Sequence, residues 1–198
     1  MKKLLGFCFA ALFVMACADK QDLDDKTYET EKAQMEEIGN AVASEFMGNL
    51  KSELLTAIKK GGPENAISVC SEKAVPLAEM IPEYNNYNIE IKRTTFKNRN
   101  PGNAADEFEI EALNHFESLV TKGETNLKPY LQKLEPGVYN YYRPLKIFDM
   151  CLNCHGKEEL LTEEVKTELY RLYPYDKAKG YESGDFRGVV RVKISKKI

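Results

Sequence analysis

The sequence lacks features that several common functional classes require. Of its 198 residues, 28 are lysine or arginine and 31 are aspartate or glutamate, which gives a formal net charge of -3 at pH 7. Without an excess of basic residues, the chain lacks the positive face with which a nucleic-acid-binding protein contacts phosphates. Neither of the common glycine-rich phosphate-binding motifs occurs, which argues against nucleotide chemistry. Histidine (two residues) and cysteine (five residues) are scarce, so their positions are informative.

The residues that are present indicate a globular protein. Hydrophobic residues make up 43% of the chain and charged residues 30%, a balance typical of a folded domain rather than of a disordered or collagen-like chain. The length suits one domain with a single core, together with a tail.

The N-terminus has the pattern of an export signal. A short basic start precedes an apolar run from Leu4 to Ala16, which is shorter than the roughly 20 residues of a membrane-spanning helix and typical of a secretory signal. Val14-Met15-Ala16-Cys17 resembles the lipobox of bacterial lipoproteins, in which the cysteine becomes the lipid-bearing N-terminus. We therefore predict a signal peptide at residues 1–16, lipid attachment at Cys17 and a flexible acidic tether at residues 17–27. The alternatives are an ordinary signal peptide, cut near Ala16 or Ala18, and an uncleaved anchor.

Either way, the chain is predicted to work outside the cytoplasm. The lipid would anchor it to a bacterial membrane, where it would face the periplasm or the cell exterior.

Hydrophobic periodicity predicts one α+β domain over residues 28–198. Apolar residues recur every four positions from about residue 28 to 60, which predicts a long amphipathic helix that ends at Gly61-Gly62. Pro63 is suited to the first turn of a second helix. Further helices are predicted at about 104–120 and 163–172. Alternating patterns predict antiparallel strands at 88–94, 127–134, 138–147 and 186–194, with a Pro136-Gly137 turn between the middle two.

The strongest chemical motif is Cys151-Leu152-Asn153-Cys154-His155. This C-x-x-C-H pattern is the attachment signature of c-type haem. Cys151 and Cys154, one helical turn apart, can each form a thioether with a haem vinyl group, and His155 then lies under the iron as the proximal ligand. Such attachment takes place outside the cytoplasm, in agreement with the export signal. We predict one covalent haem c.

Other readings of the motif remain open. An exported protein can use C-x-x-C as a disulfide or a thioredoxin-like redox pair, although neither requires the histidine. A zinc site with three cysteines and one histidine could combine Cys70, Cys151 and Cys154 with either His115 or His155.

The remaining cysteine is a candidate for the second axial ligand. Cys8 is lost with the signal peptide, Cys17 is predicted to carry lipid and Cys151 and Cys154 to carry haem, which leaves Cys70 unpaired. An unpaired cysteine in an exported protein is either a small core residue or has a function, here as a thiolate ligand to iron. Its rivals for that role are His115, Met35, Met47, Met80 and Met150.

An ordered set of motifs resembles one known family. The set begins with Ala66-Ile67-Ser68-Val69-Cys70 and continues with the stretch Arg93-Thr94-Thr95-Phe96-Lys97-Asn98-Arg99-Asn100-Pro101. Tyr142-Arg143-Pro144-Leu145 leads into the C-x-x-C-H motif, and Tyr173 to Ala178, Gly180-Tyr181 and Gly184 to Gly188 follow it. Over about residues 30–195, this pattern resembles the single c-type haem domain family, long classed as a domain of unknown function. That domain occurs in stand-alone exported proteins and as the sensor part of bacterial signalling proteins.

The resemblance implies a PAS-like fold, in which a small antiparallel sheet is flanked by helices and binds haem. It also implies that His155 and Cys70 are the axial pair. The chain ends with the final strand, without the transmembrane helix or kinase that would let it signal alone across a membrane, so we expect a redox or signalling protein as partner.

Three arginines are candidates for contacts with the haem propionates, because a guanidinium group matches a carboxylate: Arg93, Arg99 and Arg143. For the role of the haem, we expect a redox sensor or a sensor of a small ligand such as a diatomic gas. The alternative is an electron-transfer cytochrome. An enzyme such as a peroxidase ranks third, because only His115 is left to serve as an acid or base.

Overall fold

The chain forms an α+β domain around one sheet. The computed structural model describes residues 9–72, 84 and 86–197, and it describes side chains at residues 26–69, 84 and 86–197. The sheet has four strands: β1 (Tyr87–Thr94), β2 (Tyr130–Glu135), β3 (Val138–Lys146) and β4 (Phe186–Lys196). Their spatial order is β1-β4-β3-β2, and all three pairings are antiparallel. The predicted α+β class is therefore confirmed, and the arrangement is consistent with a PAS-like fold.

One helix covers the first face of the sheet. Helix α1 (Phe9–Glu72) is interrupted at Gly61 and Gly62, whose backbone angles are not helical. This break agrees with the end predicted for the first helix, and α1 continues from Pro63. The part of α1 before the break packs its apolar side chains against alternate residues of β3 and β4, namely Tyr139, Tyr141, Val190, Val192 and Ile194. This contact forms the main core.

The opposite face of the sheet is covered by a second helix. Helix α2 (Glu107–Thr121) packs Ala112, Leu113 and Phe116 against Tyr142 of β3 and Val189 of β4. These strand residues alternate with those that face α1, as the two-residue period of a strand requires. Two short helices complete the domain after β3: α3 (Leu152–His155) and α4 (Glu163–Leu172).

Two predicted boundaries shift for local reasons. Helix α2 starts at Glu107, later than predicted, because Asp106 caps it: the Asp106 side chain accepts from the Glu109 N–H at 2.8 Å, and the Glu109 carboxylate accepts from the Asp106 N–H at 3.0 Å. Strand β2 starts at Tyr130 rather than at residue 127. Pro129 precedes it, and proline has no N–H to donate to a sheet.

The predicted tether lies within α1, whereas the predicted signal peptide begins in residues 1–8, which lie outside the described residues. Residues 17–27, predicted as a flexible tether, are helical in the structure; this stretch contains neither glycine nor proline, so nothing in it interrupts a helix. The signal peptide, the lipid attachment at Cys17 and the domain limits stay predictions. In the part of the chain that the structure describes, no helix is long and apolar enough to cross a membrane.

Candidate functional site

The C-x-x-C-H motif forms a compact helical segment directly after β3. A 3-10 turn (Asp149–Cys151) leads into α3, which ends at His155. Gly156 closes this helix with an N–H bond to the Leu152 carbonyl at 3.0 Å, and a Cβ at this position would approach the same oxygen to 2.7 Å. The Cys151 and Cys154 thiols are half-buried and are not joined in a disulfide. Two thiols and an imidazole therefore lie on one turn of backbone.

The His155 ring is held by a backbone carbonyl. Its Nδ1 lies 2.8 Å from the Ala178 oxygen and 3.4 Å from the Arg99 Nη2. Because a carbonyl can only accept and its contact is much the shorter of the two, we assign the proton to Nδ1. The neutral ring then has its lone pair on Nε2. This arrangement, in which one ring nitrogen donates to a carbonyl, is typical of histidines that bind a metal through the other nitrogen.

A buried ion pair supports that carbonyl. The Arg99 Nε donates to the Asp176 carboxylate at 3.1 Å, and the same carboxylate accepts from the Ala178 N–H at 2.8 Å. Arg99 also donates to the Cys154 carbonyl. These hydrogen bonds form a closed ring. Arg99 links the Cys154 carbonyl to the Asp176 carboxylate, and Ala178 links that carboxylate to the His155 ring.

The surroundings favour the neutral imidazole. Burial lowers the pKa of His155 well below its ordinary value, and the positive charges of Arg99 and Arg187 lower it further. The bond to Ala178 acts in the opposite direction but is outweighed. Because a metal binds the unprotonated nitrogen, a neutral His155 is available as a ligand without first losing a proton.

Tyr181 contacts both the His155 ring and two cationic side chains. The Tyr181 ring meets the His155 ring edge-on at 6.3 Å between centroids. The Lys97 Nζ lies 4.1 Å from the Tyr181 ring centroid, and the centre of the Arg187 guanidinium lies 5.3 Å from it. Backbone bonds from Gly180 to Gly156 and from Tyr181 to the His155 carbonyl fix this loop on the motif.

The part of α1 after the break reaches the motif. Its Ile67 packs in a cluster with residues of α4, and Cys154 packs against the same cluster. The backbone of Cys70 lies on α1 about one helical turn beyond Ile67; the Cys70 side chain lies outside the described residues. The helix that carries Cys70 thus contacts the segment that carries Cys154.

Comparisons with known proteins agree with the sequence motifs. The family model described as Tll0287-like matches residues 20–195. The chain belongs to the Tll0287-like family. This result confirms the resemblance drawn from the ordered motifs. No curated protein matches the chain.

A solved structure of this family shares the fold. The crystal structure of the cyanobacterial heme-protein Tll0287 matches with a TM-score of 0.57 and 21% sequence identity. The match covers 86% of this chain and 98% of that one. At this identity, the likeness speaks for the fold alone.

The three arginines predicted to contact haem propionates lie in different surroundings. Arg99 is buried and bound to Asp176, and Arg143 donates to the Ser44 hydroxyl on α1. Arg93 lies on β1 and Arg143 on β3, each paired in register with Val190 of β4 between them. Arg93 and Arg143 therefore lie on the face of the sheet that α1 covers.

The residues that compete with Cys70 for the second axial position lie in other parts of the fold or outside the described residues. His115 belongs to α2, on the sheet face opposite α1, and stacks on Tyr130 at 4.7 Å between centroids. Met35 and Met47 pack in the core between α1 and the sheet. Met150 precedes Cys151 in the 3-10 turn, and Met80 lies outside the described residues.

The structure brings no complete zinc site together within its described residues. Among their side chains, no three histidine, cysteine, aspartate or glutamate residues are grouped to hold a metal ion. The zinc reading with His115 also requires a residue of α2, where His115 stacks on Tyr130.

Sequence reasoning missed four residues that build the site: Asp176, Ala178, Tyr181 and Arg187. All four fall within the stretches that carry the family resemblance, and this is the signal that could have pointed to them. Nothing local distinguishes them, because their contacts with His155 and Arg99 exist only in the folded chain.

Proposed function

We propose that this chain is an exported, lipid-anchored protein that carries one covalent haem c. Cys151 and Cys154 would form the thioethers and His155 the proximal bond to iron. The observation that carries this proposal is the His155 ring, which donates from Nδ1 to the Ala178 carbonyl at 2.8 Å and so leaves Nε2 as a ligand. The related Tll0287 is described as a heme-protein, which supports the same assignment.

The chemistry of the donor set fits this group. The two side chains are half-buried and are not joined in a disulfide, so each sulfur would be present as the thiol that adds to a vinyl group. Their backbone is fixed by the Gly156 closure and by the Arg99 bond to the Cys154 carbonyl. A disulfide remains a distant alternative that would leave the orientation of His155 without a purpose. A zinc site is the other distant alternative; it could use His155 but needs Cys70 beside Cys151 and Cys154 to complete four ligands.

Cys70 is proposed as the second axial ligand. Its support is the contact of its helix with the Cys154 segment through the cluster around Ile67. A thiolate at this position would also explain the unpaired cysteine in an exported chain.

For the physiological role, we favour a sensor of redox state or of a small ligand such as a diatomic gas. The haem would supply an iron that changes oxidation state and binds such a ligand. The fold supports this role because α1 runs from the predicted anchor, across the sheet, to Cys70. A displacement of Cys70 would therefore act on the helix that a signalling partner or the membrane could read.

An electron-transfer cytochrome is the second candidate. Phe148, three positions before Cys151, is 65% exposed on the surface. An exposed aromatic residue beside the attachment segment suits contact with a redox partner. The two roles separate on the behaviour of the ferrous form, because a carrier that keeps both axial ligands has no position for carbon monoxide.

The test is an absorption spectrum of the mature chain after periplasmic expression with the haem-attachment machinery. It would be recorded oxidised, reduced, and reduced with carbon monoxide. A covalent c-type haem is expected, with a change on adding carbon monoxide. A reduced form that ignores carbon monoxide would favour the electron carrier, and a chain without covalent haem would refute the proposal. Cys151→Ser/Cys154→Ser is the matched control, which should lose attachment.

A further inference from the structure

Arg187 is held near the candidate site by neutral groups. It lies near the start of β4, and its Nη1 donates to the Thr95 hydroxyl and to the Lys97 carbonyl, each at 3.1 Å. The Tyr181 hydroxyl lies 3.5 Å from the same nitrogen. The centre of the guanidinium is 5.3 Å from the Tyr181 ring centroid. These contacts orient the guanidinium without neutralising its charge.

The charge of Arg187 has no carboxylate partner among the described residues. The contrast is Arg99, whose charge is balanced by Asp176 at 3.1 Å. Burial lowers the pKa of Arg187, as do the charges of Arg99 and Arg93, while Tyr181 opposes them. Holding a largely desolvated positive charge beside others of the same sign is unfavourable unless an anion offsets it.

The Arg187 guanidinium has a pair of N–H donors, on Nε and Nη2, that is available to an anion; we call this pair the fork. Only Nη1 has described hydrogen-bond partners, so Nε and Nη2 keep their donors unused within the described part of the chain. Two donors on one edge of a guanidinium match the two oxygens of a carboxylate. The charge of Arg187 also lowers the pKa of His155, so the fork lies within electrostatic reach of the imidazole.

We propose that Arg187 binds a carboxylate at this site and that this carboxylate is a propionate of the haem. The inference rests on the proposed function, because the propionate arrives with the haem. It adds a residue that the sequence did not single out. Of the sequence candidates, Arg99 already pairs with the Asp176 carboxylate, whereas Arg143 donates to the neutral Ser44 hydroxyl of α1 and therefore serves as the competing arginine in the test.

The test compares three variants of the mature, haem-loaded chain. Arg187→Gln removes the charge and the fork, Arg143→Gln tests a competing arginine, and Arg171→Gln, in an exposed pair with Glu168, controls for the loss of one surface charge. Each is measured by redox titration and by the propionate-bending band in resonance Raman spectra. Only Arg187→Gln is expected to shift that band. It should also lower the reduction potential by at least the roughly 59 mV that correspond to a tenfold change in a one-electron equilibrium.

The outcomes separate the inference from the proposed function. If the wild-type chain carries no covalent haem, both are refuted. If haem is present but Arg187→Gln retains the wild-type Raman band, or if only Arg143→Gln shifts it, the inference about Arg187 is refuted and the proposed function stands. Should Arg187→Gln fail to fold, Arg187→Lys, which keeps the charge but not the fork, replaces it. A shifted band in that variant supports bidentate binding, and an unchanged band overturns it.

Discussion

Replacing Asp176 with asparagine should destabilise the domain more than any exposed ion pair could. The Asp176 and Arg99 side chains are only 3% and 9% exposed, and the carboxylate accepts from both the Arg99 Nε and the Ala178 N–H. Asparagine keeps one acceptor but leaves the Arg99 charge without a counter-charge. Removal of one partner from a buried ion pair costs about 3–5 kcal/mol. For a chain of this size, a loss of about 3 kcal/mol lowers the Tm by roughly 6–12 °C.

The assay is urea unfolding of the mature chain, followed by circular dichroism, with the free energy of unfolding extrapolated to water. Glu168→Gln is the matched control, because Glu168 pairs with Arg171, whose side chain is 62% exposed. An exposed pair of this kind contributes about 0–1 kcal/mol. We therefore expect Asp176→Asn to lower the free energy of unfolding clearly and Glu168→Gln to leave it almost unchanged.

The double variant Asp176→Asn/Arg99→Gln gives a second check. Removing both charges eliminates the uncompensated guanidinium, so the double variant should lose less than the sum of the two single variants. A loss below about 1 kcal/mol for Asp176→Asn, or strict additivity in the double variant, would refute the claim that this pair is buried and coupled.

Three further results are expected. Cys70→Ala should keep covalent haem but change the ferric low-spin spectrum, and an unchanged spectrum would exclude Cys70 as a ligand. Tyr142→Phe should cost about 1–3 kcal/mol in urea unfolding, because the hydroxyl accepts from Asn140 and donates to Gln132, each at 2.9 Å; exposed Tyr175→Phe is the control, and equal losses would contradict this. In the haem-free chain, the lowered pKa of His155 means that the unfolded state gains a proton first as the pH falls. Stability should therefore be complete above about pH 6.5 and decline below it, and the same decline in His155→Asn would refute this cause.

Local signals explain why much of the fold could be predicted. Helix and strand positions followed from periods of 3.6 and two residues, and the break in α1 from Gly61 and Gly62. Gly62 has a φ of 79°, which side-chain-bearing residues rarely adopt. Boundaries were less predictable, because the start of α2 depends on the bond between the Asp106 and Glu109 groups and not on hydrophobic period.

The candidate site was only partly visible in the sequence. The C-x-x-C-H motif is contiguous, so its spacing could be read directly. The groups that orient His155 come from elsewhere: Ala178 and Asp176 follow it in the chain, and Arg99 precedes it by a long interval. The contact of Arg99 with a propionate stays a prediction, and the structure adds an ion pair between Arg99 and the Asp176 carboxylate. Residue type alone could not reveal this pairing.

The break in α1 links the core to the candidate site. The part of α1 after the break, residues 63–72, is about 15 Å long as a helix, and the non-helical angles of Gly61 and Gly62 set its direction. This final part packs beside Cys154 through Ile67. The part before the break is fixed on the sheet by buried side chains such as Val42 and Phe46. The position of Cys70 relative to the C-x-x-C-H motif therefore depends on two glycines that lie far from that motif in the sequence.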